Sequence, residues 1–429
     1  VRPATGIFVV ELTDFEDGPQ AVYTWRSGPV RGISLVFGRY REVAHQVLSG
    51  YREDSYLSLG TSWTREGQRA PTVTEAVCYL YPEDSEKAGS CASTSTEVMG
   101  FYSSYFGSYP YKRLRVVEAP ASFFGGHGDP GFVILSKGVI NRERGPEFLA
   151  HEIAHNWWGV VTFADGERNL HSFGIAPAKT RTASAEGSEY NTWLVEGFAT
   201  YSALLYIEHA YGRKEMLTSL DDKRQEYLKK SQELGDTPVA YTQEEYDSGL
   251  YHAVVYSKGA YILHMLRSVV GEETFSGVMK EYARRYAFKK VTIKDFQEVA
   301  EDLYGEDLGW FFQEWLYSAV LPDYAFGDVR VAQEDGNYRV EAQVLPGAGV
   351  KMPIDVTLHT SEGKETKRIW LERGDARAEF ISRGRPLYVA LDEGQWLLDA
   401  DRTNNLRAIS YRSPKSLALL VSGLTSRFW

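Results

Sequence analysis

Two histidines four residues apart, His151 and His155, constrain this chain more than any other feature of its sequence. Pro146 is suited to the first turn of a helix, and Gly159 is suited to a helix end. Residues four apart share a helix face, so the sequence predicts a helix that presents both imidazoles to one metal ion. Glu152 is offset by one residue. It can therefore take a proton from a metal-activated water without becoming a ligand itself.

The third metal ligand has to come from another part of the chain, because catalytic zinc sites usually have three protein ligands. Glu196 is the candidate, since an acidic side chain within the apolar stretch Trp193–Tyr201 is costly to bury unless it is paired or metal-bound. Asn191 or Thr192 would cap that helix. Competing side chains occur in a polar stretch where solvation is the simpler explanation: Asp165, Glu167, His171, Glu186 and Glu189.

Three segments of the chain, in order, resemble the signature of the gluzincin zinc aminopeptidases, the family of alanyl aminopeptidase and leukotriene hydrolase. They read HEIAHNWWG, WLVEGFATY and YSKGAYILHML. The resemblance implies a thermolysin-like catalytic domain with one Zn²⁺ bound by His151, His155 and Glu196. It also implies that Glu152 is the general base and that Tyr256 hydrogen-bonds the oxyanion of the tetrahedral intermediate.

One loop of the family is altered in this chain. Members carry a Gly-x-Met-Glu-Asn loop, whose backbone pairs with the substrate and whose Glu binds the free amino terminus. The equivalent segment here, FGGHGDPGF, has Gly128 where that Glu is expected and His127 where the Met is expected. Gly125 and Gly126 can still offer backbone groups to a peptide, because glycine allows close approach. Asp129 is the candidate replacement for the missing carboxylate; otherwise His127 and Asp129 are loop residues without a substrate contact.

The expected activity is removal of amino-terminal residues from peptides by a zinc-activated water. The altered loop leaves open an endopeptidase or a hydrolase of blocked peptides. A non-catalytic zinc-containing peptide-binding module is the alternative from a different class. The retained Glu152 and Tyr256 argue against such a module, because a binding protein needs neither a base nor an oxyanion donor.

The spacing between the second histidine and the third ligand also departs from the family pattern. Forty residues separate His155 from Glu196, which is more than the family has, and the surplus falls within residues 164–189. This segment is rich in Gly, Ser, Thr, Ala and charge, so it is predicted to be a loop. It either covers the substrate cleft or is a surface excursion.

Composition excludes several classes of protein. The 429 residues include 28 Tyr, 20 Phe and 10 Trp, which argues against disorder. A net charge of −11 without a basic stripe argues against nucleic-acid binding. No apolar run is long enough for a transmembrane segment. Peptide substrates are therefore the expected partners, and the sequence does not indicate an oligomeric state.

The two cysteines and the first residue bear on the cellular compartment. Cys78 and Cys91 are close in sequence, so they form either a disulfide that closes a short loop or two free thiols. Neither fits the metal site. The chain begins at Val1 rather than Met, as a mature or excised form would. An extracytoplasmic or cell-envelope location is expected rather than a cytoplasmic one.

The overall pattern predicts an α+β protein. By comparison with the family, we expect a truncated β-rich N-terminal domain at 1–94 and a mainly helical thermolysin-like catalytic domain at 95–322. A β-sandwich is expected at 323–402, followed by an unassigned tail at 403–429.

Local periodicity predicts the individual elements within this organisation. Ser95–Phe106 is predicted to be helical, and Arg113–Glu118 is predicted to be a strand; if it were an antiparallel edge strand, a peptide could add to it. Further helices are expected at 273–286, 292–304 and 308–317. Further strands are expected at 33–40, 55–63, 72–81, 338–342, 354–358 and 367–371.

Overall fold

The computed structural model describes most of residues 75–409 and the backbone of three earlier strands. The gaps within the main part are residues 110, 112, 124, 141–144, 165–190, 243–247 and 373. Outside the described residues lie the strands expected at 33–40 and 55–63, the five competing ligands, nearly all of the 164–189 insertion and the tail beyond 409.

The described residues form both strands and helices, and the strands of the first half of the chain come in groups separated by helices. The strands are β1 (Ala4–Leu12), β2 (Ala21–Val30), β3 (Arg41–Val47), β4 (Glu75–Leu80), β5 (Arg113–Ala119), β6 (Gly126–Asp129), β7 (Phe132–Ser136), β8 (Thr162–Ala164), β9 (Lys289–Val291), β10 (Ala325–Glu334), β11 (Asn337–Leu345), β12 (Met352–Thr360), β13 (Gly363–Leu371), β14 (Ala376–Ser382), β15 (Pro386–Leu391) and β16 (Leu406–Ala408). The helices are α1 (Ala88–Phe106), α2 (Lys137–Ile140), α3 (Gly145–Ala154), α4 (Trp193–Tyr211), α5 (Arg213–Leu234), α6 (Ser248–Tyr251), α7 (Gly259–Val270), α8 (Glu272–Arg285), α9 (Ile293–Tyr304) and α10 (Gly309–Leu316). A π-helical segment, His252–Lys258, joins α6 to α7. None of these helices is both long and apolar enough to cross a bilayer.

The contacts within the chain divide it into two units. Unit 1 contains the described residues of Val1–Ala185, Phe198–Gly212 and Met279–Thr292, and unit 2 contains those of Glu186–Gly197, Arg213–Val278 and Ile293–Trp429. The divisions after Gly197 and Val278 fall inside helices, so α4 and α8 each contribute to both units. The α+β class predicted from the sequence is confirmed, and the predicted domain bounds remain predictions.

Unit 1 is built around a five-stranded sheet with the order β3-β4-β5-β7-β6. Strand β5 pairs in parallel with both β4 and β7, and β6 pairs antiparallel with β7. The strand predicted at Arg113–Glu118 is confirmed, but β5 lies inside the sheet, so the condition for peptide addition to it is not met. Its last four residues are all buried, which is typical of a strand covered on both faces. The end of the sheet is β6, which belongs to the altered loop.

Aromatic side chains fix the segment that follows α3. Trp157 and Trp158 are fully buried, and the rings of Phe106 and Trp158 lie 4.9 Å apart. Trp157 Nε1 donates to the Gly107 carbonyl at 3.0 Å, and Trp158 Nε1 donates to Ser202 Oγ at 2.9 Å. Each indole thus buries a large apolar surface while its only donor stays paired. The chain immediately after His155 is held by this core.

Unit 2 combines helices with two antiparallel sheets near the C-terminus. The sheets have the orders β10-β11-β14 and β13-β12-β15-β16. Alternate residues of β11 are buried, namely Val340, Ala342 and Val344. This period of two is typical of a strand with one buried face. The strands predicted at 338–342, 354–358 and 367–371 are confirmed, since they lie within β11, β12 and β13. The predicted helices at 273–286, 292–304 and 308–317 correspond to α8, α9 and α10.

The two cysteines are free thiols in the structure. Cys78 lies on β4 and is fully buried, and Cys91 lies on α1. A hydrogen bond with Cys91 and burial both raise the pKa of the Cys78 thiol. Of the two states that the sequence allowed, the thiol state is the one present.

A buried polar network in unit 2 anchors α5 to the C-terminal segment. Arg224 of α5 donates from Nη1 to the Asp399 carbonyl at 2.8 Å, and Arg402 donates to Asp221 Oδ1 at 3.0 Å. The carboxylate of Asp392 accepts from the backbone N–H groups of residues 396 and 397 at 2.9 and 2.8 Å. Burial raises the pKa of Asp392 to about 6, against the lowering effects of those N–H groups and of Arg402. Ionisation of the Asp392 carboxyl group therefore lowers the stability of the folded state.

We expect Asp392→Asn to change how stability depends on pH. The pKa of Asp392 is raised in the folded state, so its contribution to stability is fully present below the unfolded pKa and is lost as pH rises to about 6. Asn stays neutral and accepts the left-handed backbone at this position, where φ is 45°. Between pH 4 and pH 7 the variant should gain about 2–3 kcal/mol relative to the unsubstituted protein. Urea unfolding across this range measures the difference, and parallel stability curves would contradict the assignment.

Candidate metal centre and active site

Three side chains predicted as metal ligands converge in the structure. Candidate ligand atoms of His151, His155 and Glu196 all lie within 4.8 Å of one another. The two imidazole rings are 4.9 Å apart between centroids and nearly perpendicular, at 86°. Among the described residues, this is the group of His, Cys, Asp and Glu side chains that could bind a metal ion.

Helix α3 carries the first of these histidines and ends just before the second. The helix begins at Gly145, with Pro146 in its first turn as predicted, and it ends at Ala154. The predicted end at Gly159 is therefore too late. The N–H groups of Trp157 and Trp158 both donate to the Ala154 carbonyl, which turns the chain so that both indoles enter the core. His155 follows His151 by one turn and stays on the same face.

The orientation of His155 is set by the turn that follows it. His155 Nδ1 lies 3.1 Å from the Trp158 carbonyl oxygen. A carbonyl only accepts, so Nδ1 carries the proton and Nε2 keeps its lone pair for a metal. The other histidine contacts the next helix: His151 Nδ1 lies 3.4 Å from Thr200 Oγ1. Such hydrogen bonds fix the ring orientation and tautomer of metal-binding histidines.

Glu196 lies in the first turn of α4, a helix that is almost entirely buried after it. The Glu196 N–H donates to the Thr192 carbonyl at 2.9 Å, and the cap expected from Asn191 or Thr192 stays a prediction. The side chain of Asn191 instead accepts from the Ile293 N–H at 2.9 Å, at the start of α9. Thr200 is four residues after Glu196, on the same face of α4. The contact of Thr200 with His151 thus places the Glu196 side of α4 toward α3.

The donor set fits zinc. Two imidazole nitrogens and one carboxylate oxygen form a ligand set of catalytic zinc sites, which leave a further position for water or substrate. His155 is buried and its proton is already donated, which suits a neutral ligand. A carboxylate among the buried neighbours of Glu196 on α4 is costly unless it is compensated, and a bound cation would compensate it.

Glu152 is buried next to the candidate ligands and packs against strand β6. Its side chain is only 6% exposed. A Cβ atom placed on Gly126 would lie 2.5 Å from Glu152 Oε1, so the carboxylate rests directly on the backbone of β6. Only glycine allows this approach at position 126. Glu152 is therefore held between the metal ligands and the strand at the end of the sheet.

A second glycine makes the same strand contact the helix that carries Glu152. A Cβ atom on Gly128 would lie 2.4 Å from the Glu152 carbonyl oxygen and 2.8 Å from His155 Cβ. No side chain fits at this position without a shift of the backbone. Gly128 is the position where the related family has its amine-binding Glu, and here that space is filled by α3 itself.

The hydrogen-bond register of β6 directs its free backbone groups outward. The Ser136 N–H donates to the Gly125 carbonyl at 2.9 Å, and Gly126 lies opposite Leu135. In an antiparallel pair, hydrogen-bonded positions alternate with positions whose N–H and C=O point away from the partner. By this alternation, Gly126 and Gly128 direct their backbone groups away from β7. Among the described residues, β6 has no second neighbouring strand.

His127 and Asp129 occupy the opposite face of β6 from the two glycines. His127 Nε2 lies 3.3 Å from Asp129 Oδ2, and both side chains are largely buried. Burial and, to a smaller extent, Asp129 raise the pKa of Tyr111, which places Asp129 beside that phenol. The structure therefore puts Asp129 on the side of the strand away from α3. Its predicted role as the replacement amine anchor remains a prediction.

Tyr256 lies in the π-helical segment of unit 2 and is partly exposed. The backbone of this segment packs closely on the first turn of α4: a Cβ on Gly197 would lie 3.1 Å from the Val255 carbonyl oxygen and 3.2 Å from the Gly259 carbonyl carbon. Gly197 directly follows Glu196. Tyr256 therefore belongs to the segment that supports the helix turn carrying the third ligand.

The sequence did not identify Asn156, although it ties the metal-binding helix to the loop after β6. Asn156 is fully buried, and its Oδ1 accepts from the Gly131 N–H at 2.8 Å and from the Tyr109 hydroxyl at 3.2 Å. Its Nδ2 donates to the Ile153 carbonyl at 3.1 Å. The available signal was a lone amide side chain directly before the two tryptophans. The sequence also did not indicate a role for His252, which begins the Tyr256 segment, or for Glu226, which contacts that segment.

Comparison with known proteins gives a family for part of the chain. The peptidase family M1 domain matches residues 190–315, which include Glu196 and Tyr256. The chain is 24% identical to aminopeptidase M1-C of Oryza sativa over 291 residues, or 64% of this chain and 30% of that protein. It is 24% identical to aminopeptidase N of Streptomyces lividans, over 69% of this chain and 34% of that protein.

A solved structure shares the fold. The aminopeptidase A of Legionella pneumophila, determined in complex with aspartic acid, aligns with a TM-score of 0.65 and 18% sequence identity. The alignment covers 96% of this chain and 43% of that one. This chain therefore spans about a third of the length of the curated relatives it matches, and less than half of the solved structure.

We expect Gly128→Ala to disturb the packing of β6 on α3. The added methyl group would meet backbone and Cβ atoms that cannot rotate away, so the substitution should cost about 1–3 kcal/mol of stability. Thermal unfolding measures the loss. Gly89→Ala on α1 is the matched control, because a Cβ there meets nothing within 4 Å and should be neutral or stabilising by up to about 1 kcal/mol. Equal melting temperatures for the two variants would contradict the close contact.

Proposed function

We propose, from the match of residues 190–315 to the peptidase family M1 domain, that this chain is a zinc-dependent peptidase that removes amino-terminal residues from peptides. One observation carries the proposal. A general-base candidate, Glu152, lies buried between two histidines that converge with Glu196. A site that only stored a metal would not require a carboxylate held beside it and against the open edge of a strand.

The ion, when bound, would supply Lewis acidity, which lowers the pKa of a water molecule and polarises a carbonyl oxygen. His151, His155 and Glu196 would hold it. His155 would bind it through Nε2, because its Nδ1 proton is donated to the Trp158 carbonyl. The chain's own contribution at this point is to fix ligand number and orientation.

Glu152 would perform the proton transfers of the reaction. Its carboxylate takes a proton from the attacking water and then delivers that proton to the nitrogen of the leaving amine. Its position is fixed by contact with the Gly126 backbone. Glu152 follows His151 in the sequence and is not one of the three converging ligands, so the proton transfers are assigned to its carboxylate.

Tyr256 would stabilise the negative charge that develops on the substrate carbonyl oxygen. A phenol donor aimed at this charge lowers the barrier by a few kcal/mol. The partial exposure of the ring leaves it accessible to a substrate. The packing of its segment against Gly197 supports the assignment, since it couples the phenol to the helix of the third ligand.

Strand β6 would align the peptide. The outward N–H and C=O groups of Gly126 and Gly128 can pair with an extended substrate backbone, which adds a strand to the sheet. Glu152 lies against this same strand. A peptide bound there would pass the general base.

Hydrolysis of blocked or internal peptide bonds is a second candidate, and the packing at Gly128 favours it. No side chain fits at this position, so no carboxylate can extend from it toward a free amino terminus. Asp129, the neighbouring carboxylate, is paired with His127 on the other face of β6. Without a carboxylate that binds the free amino terminus, the site would accept acylated and free peptides alike.

We expect Glu152→Gln to bind zinc and to lose hydrolysis. The amide keeps the shape of the side chain but cannot accept the proton, so turnover should fall by about 10²–10⁴-fold. The measurement is cleavage of a short unblocked peptide by zinc-loaded protein, with zinc content determined on the same samples. Turnover within a few-fold of the unsubstituted protein would eliminate Glu152 as the base.

The same assay, repeated with the amino-terminally acetylated peptide, separates the two candidates. Cleavage of the free peptide alone is the result expected for an aminopeptidase. Equal cleavage of both peptides would favour the second candidate. Binding of either peptide without turnover, at full zinc occupancy, would contradict both and indicate a binding module.

A further inference from the structure

We propose that His252, held by Glu226, is a positioning residue that fixes the ring of Tyr256 for its role as oxyanion donor. The proposal deepens the proposed function and depends on it, because it concerns the same hydroxyl group. Its basis is a stack: the rings of His252 and Tyr256 are 4.5 Å apart between centroids and nearly parallel, at 19°. Both residues belong to the π-helical segment His252–Lys258.

The imidazole is itself held by a carboxylate. His252 Nδ1 lies 2.8 Å from Glu226 Oε1 on α5, and Ser257 Oγ donates to Glu226 Oε2 at 2.7 Å. One carboxylate thus contacts residues on both sides of Tyr256 in the chain. Burial acts to raise the pKa of Glu226, but the hydrogen bonds and charge of His252, with Ser257, lower it to about 2. Glu226 is therefore ionised at neutral pH and holds both contacts.

A second contact with α5 fixes the C-terminal side of the segment. Lys258 is fully buried, and its Nζ lies 3.1 Å from Asp236 Oδ2. Tyr227 of α5 donates to the same carboxylate oxygen at 2.7 Å, and its ring lies 5.0 Å from Lys258 Nζ. A buried lysine is strongly destabilising without such partners. Side chains of α5, together with Asp236 just after that helix, therefore hold the chain on both sides of Tyr256.

The backbone contacts do not fix the direction of the Tyr256 ring. The stack with His252 acts on that direction. Tyr256 is partly exposed, so its own packing restrains the ring only in part. Tyr251 contacts it edge-on, at 5.9 Å and 75°. With His252 against one face and Tyr251 at its edge, the ring has a defined plane, which is what pre-organisation of a hydrogen-bond donor requires. π-Helical turns are frequently found at functional sites for such local re-aiming of side chains.

The test is a kinetic comparison of His252→Ala, His252→Phe and Tyr256→Phe with the unsubstituted protein, on a peptide that it cleaves. We expect His252→Ala to lower kcat about tenfold while KM changes less than about twofold, since only the transition-state contact is weakened. His252→Phe, which keeps a ring against the phenol, should restore most of kcat. The double variant His252→Ala/Tyr256→Phe should be no slower than Tyr256→Phe alone.

A second imidazole of the same kind provides the control. His359 pairs with Glu393 at 2.6 Å and stacks on Tyr388 at 4.2 Å and 13°, on the C-terminal sheet of unit 2. His359→Ala removes an equivalent stack and should leave kcat unchanged. Zinc content and melting temperature, measured on every variant, identify any loss that comes from unfolding.

Two outcomes would overturn the proposal, and they are distinguishable. If Tyr256→Phe lowers kcat but His252→Ala does not, or if the two losses multiply in the double variant, the positioning role of His252 is wrong while the proposed function stands. If Tyr256→Phe retains full kcat, the oxyanion role within the proposed function is wrong, and the positioning role fails with it.

Discussion

The contact between strand β6 and helix α3 is the constraint on which the candidate site depends. Gly126 and Gly128 bring the strand so close to the helix that the Glu152 carboxylate lies against a backbone rather than a side chain. Asn156 reinforces the contact by binding the Gly131 N–H. Because the backbone groups of both glycines that do not pair with β7 point outward, one contact positions both the proposed general base and the strand edge proposed to pair with a peptide.

Helix α4 connects this arrangement to the remaining groups. Its residue Thr200 contacts His151, and Trp158 binds Ser202 on the same helix. Its first turn packs through Gly197 on the segment that carries Tyr256. The buried ammonium group of Lys258, in the same segment, is paired with the carboxylate of Asp236. In a protein interior such pairing avoids the large cost of an isolated charge.

The sequence predicted the parts of the site that local spacing encodes. His151 and His155 are one helical turn apart, and Glu196 is conspicuous as an acid in an apolar stretch, so their convergence was foreseeable. The end of α3 was misplaced because two buried indoles, rather than Gly159, turn the chain. Strand order is not encoded by the pattern within one strand, so the sequence predicted β5 as a strand but did not show that β6, rather than β5, lies at the edge of the sheet.

Contacts between distant elements account for the rest. Nothing in the local pattern around Glu226, on a charged helix, indicates that its carboxylate binds both His252 and Ser257. The sequence shows that Gly128 has no carboxylate for binding an amino terminus, but only the packing shows that α3 fills the space at this position. Residues of the 164–189 insertion lie largely outside the described part of the chain, so the expectations for it remain predictions.

Zinc content, measured by elemental analysis after dialysis against a weak chelator, shows whether Glu196 completes a zinc site with the two histidines. We expect one zinc ion per chain in the unsubstituted protein and far less than one in Glu196→Ala, with both proteins folded by circular dichroism. Retention of one zinc ion per chain by Glu196→Ala under the same conditions would contradict the assignment of Glu196 as the third ligand.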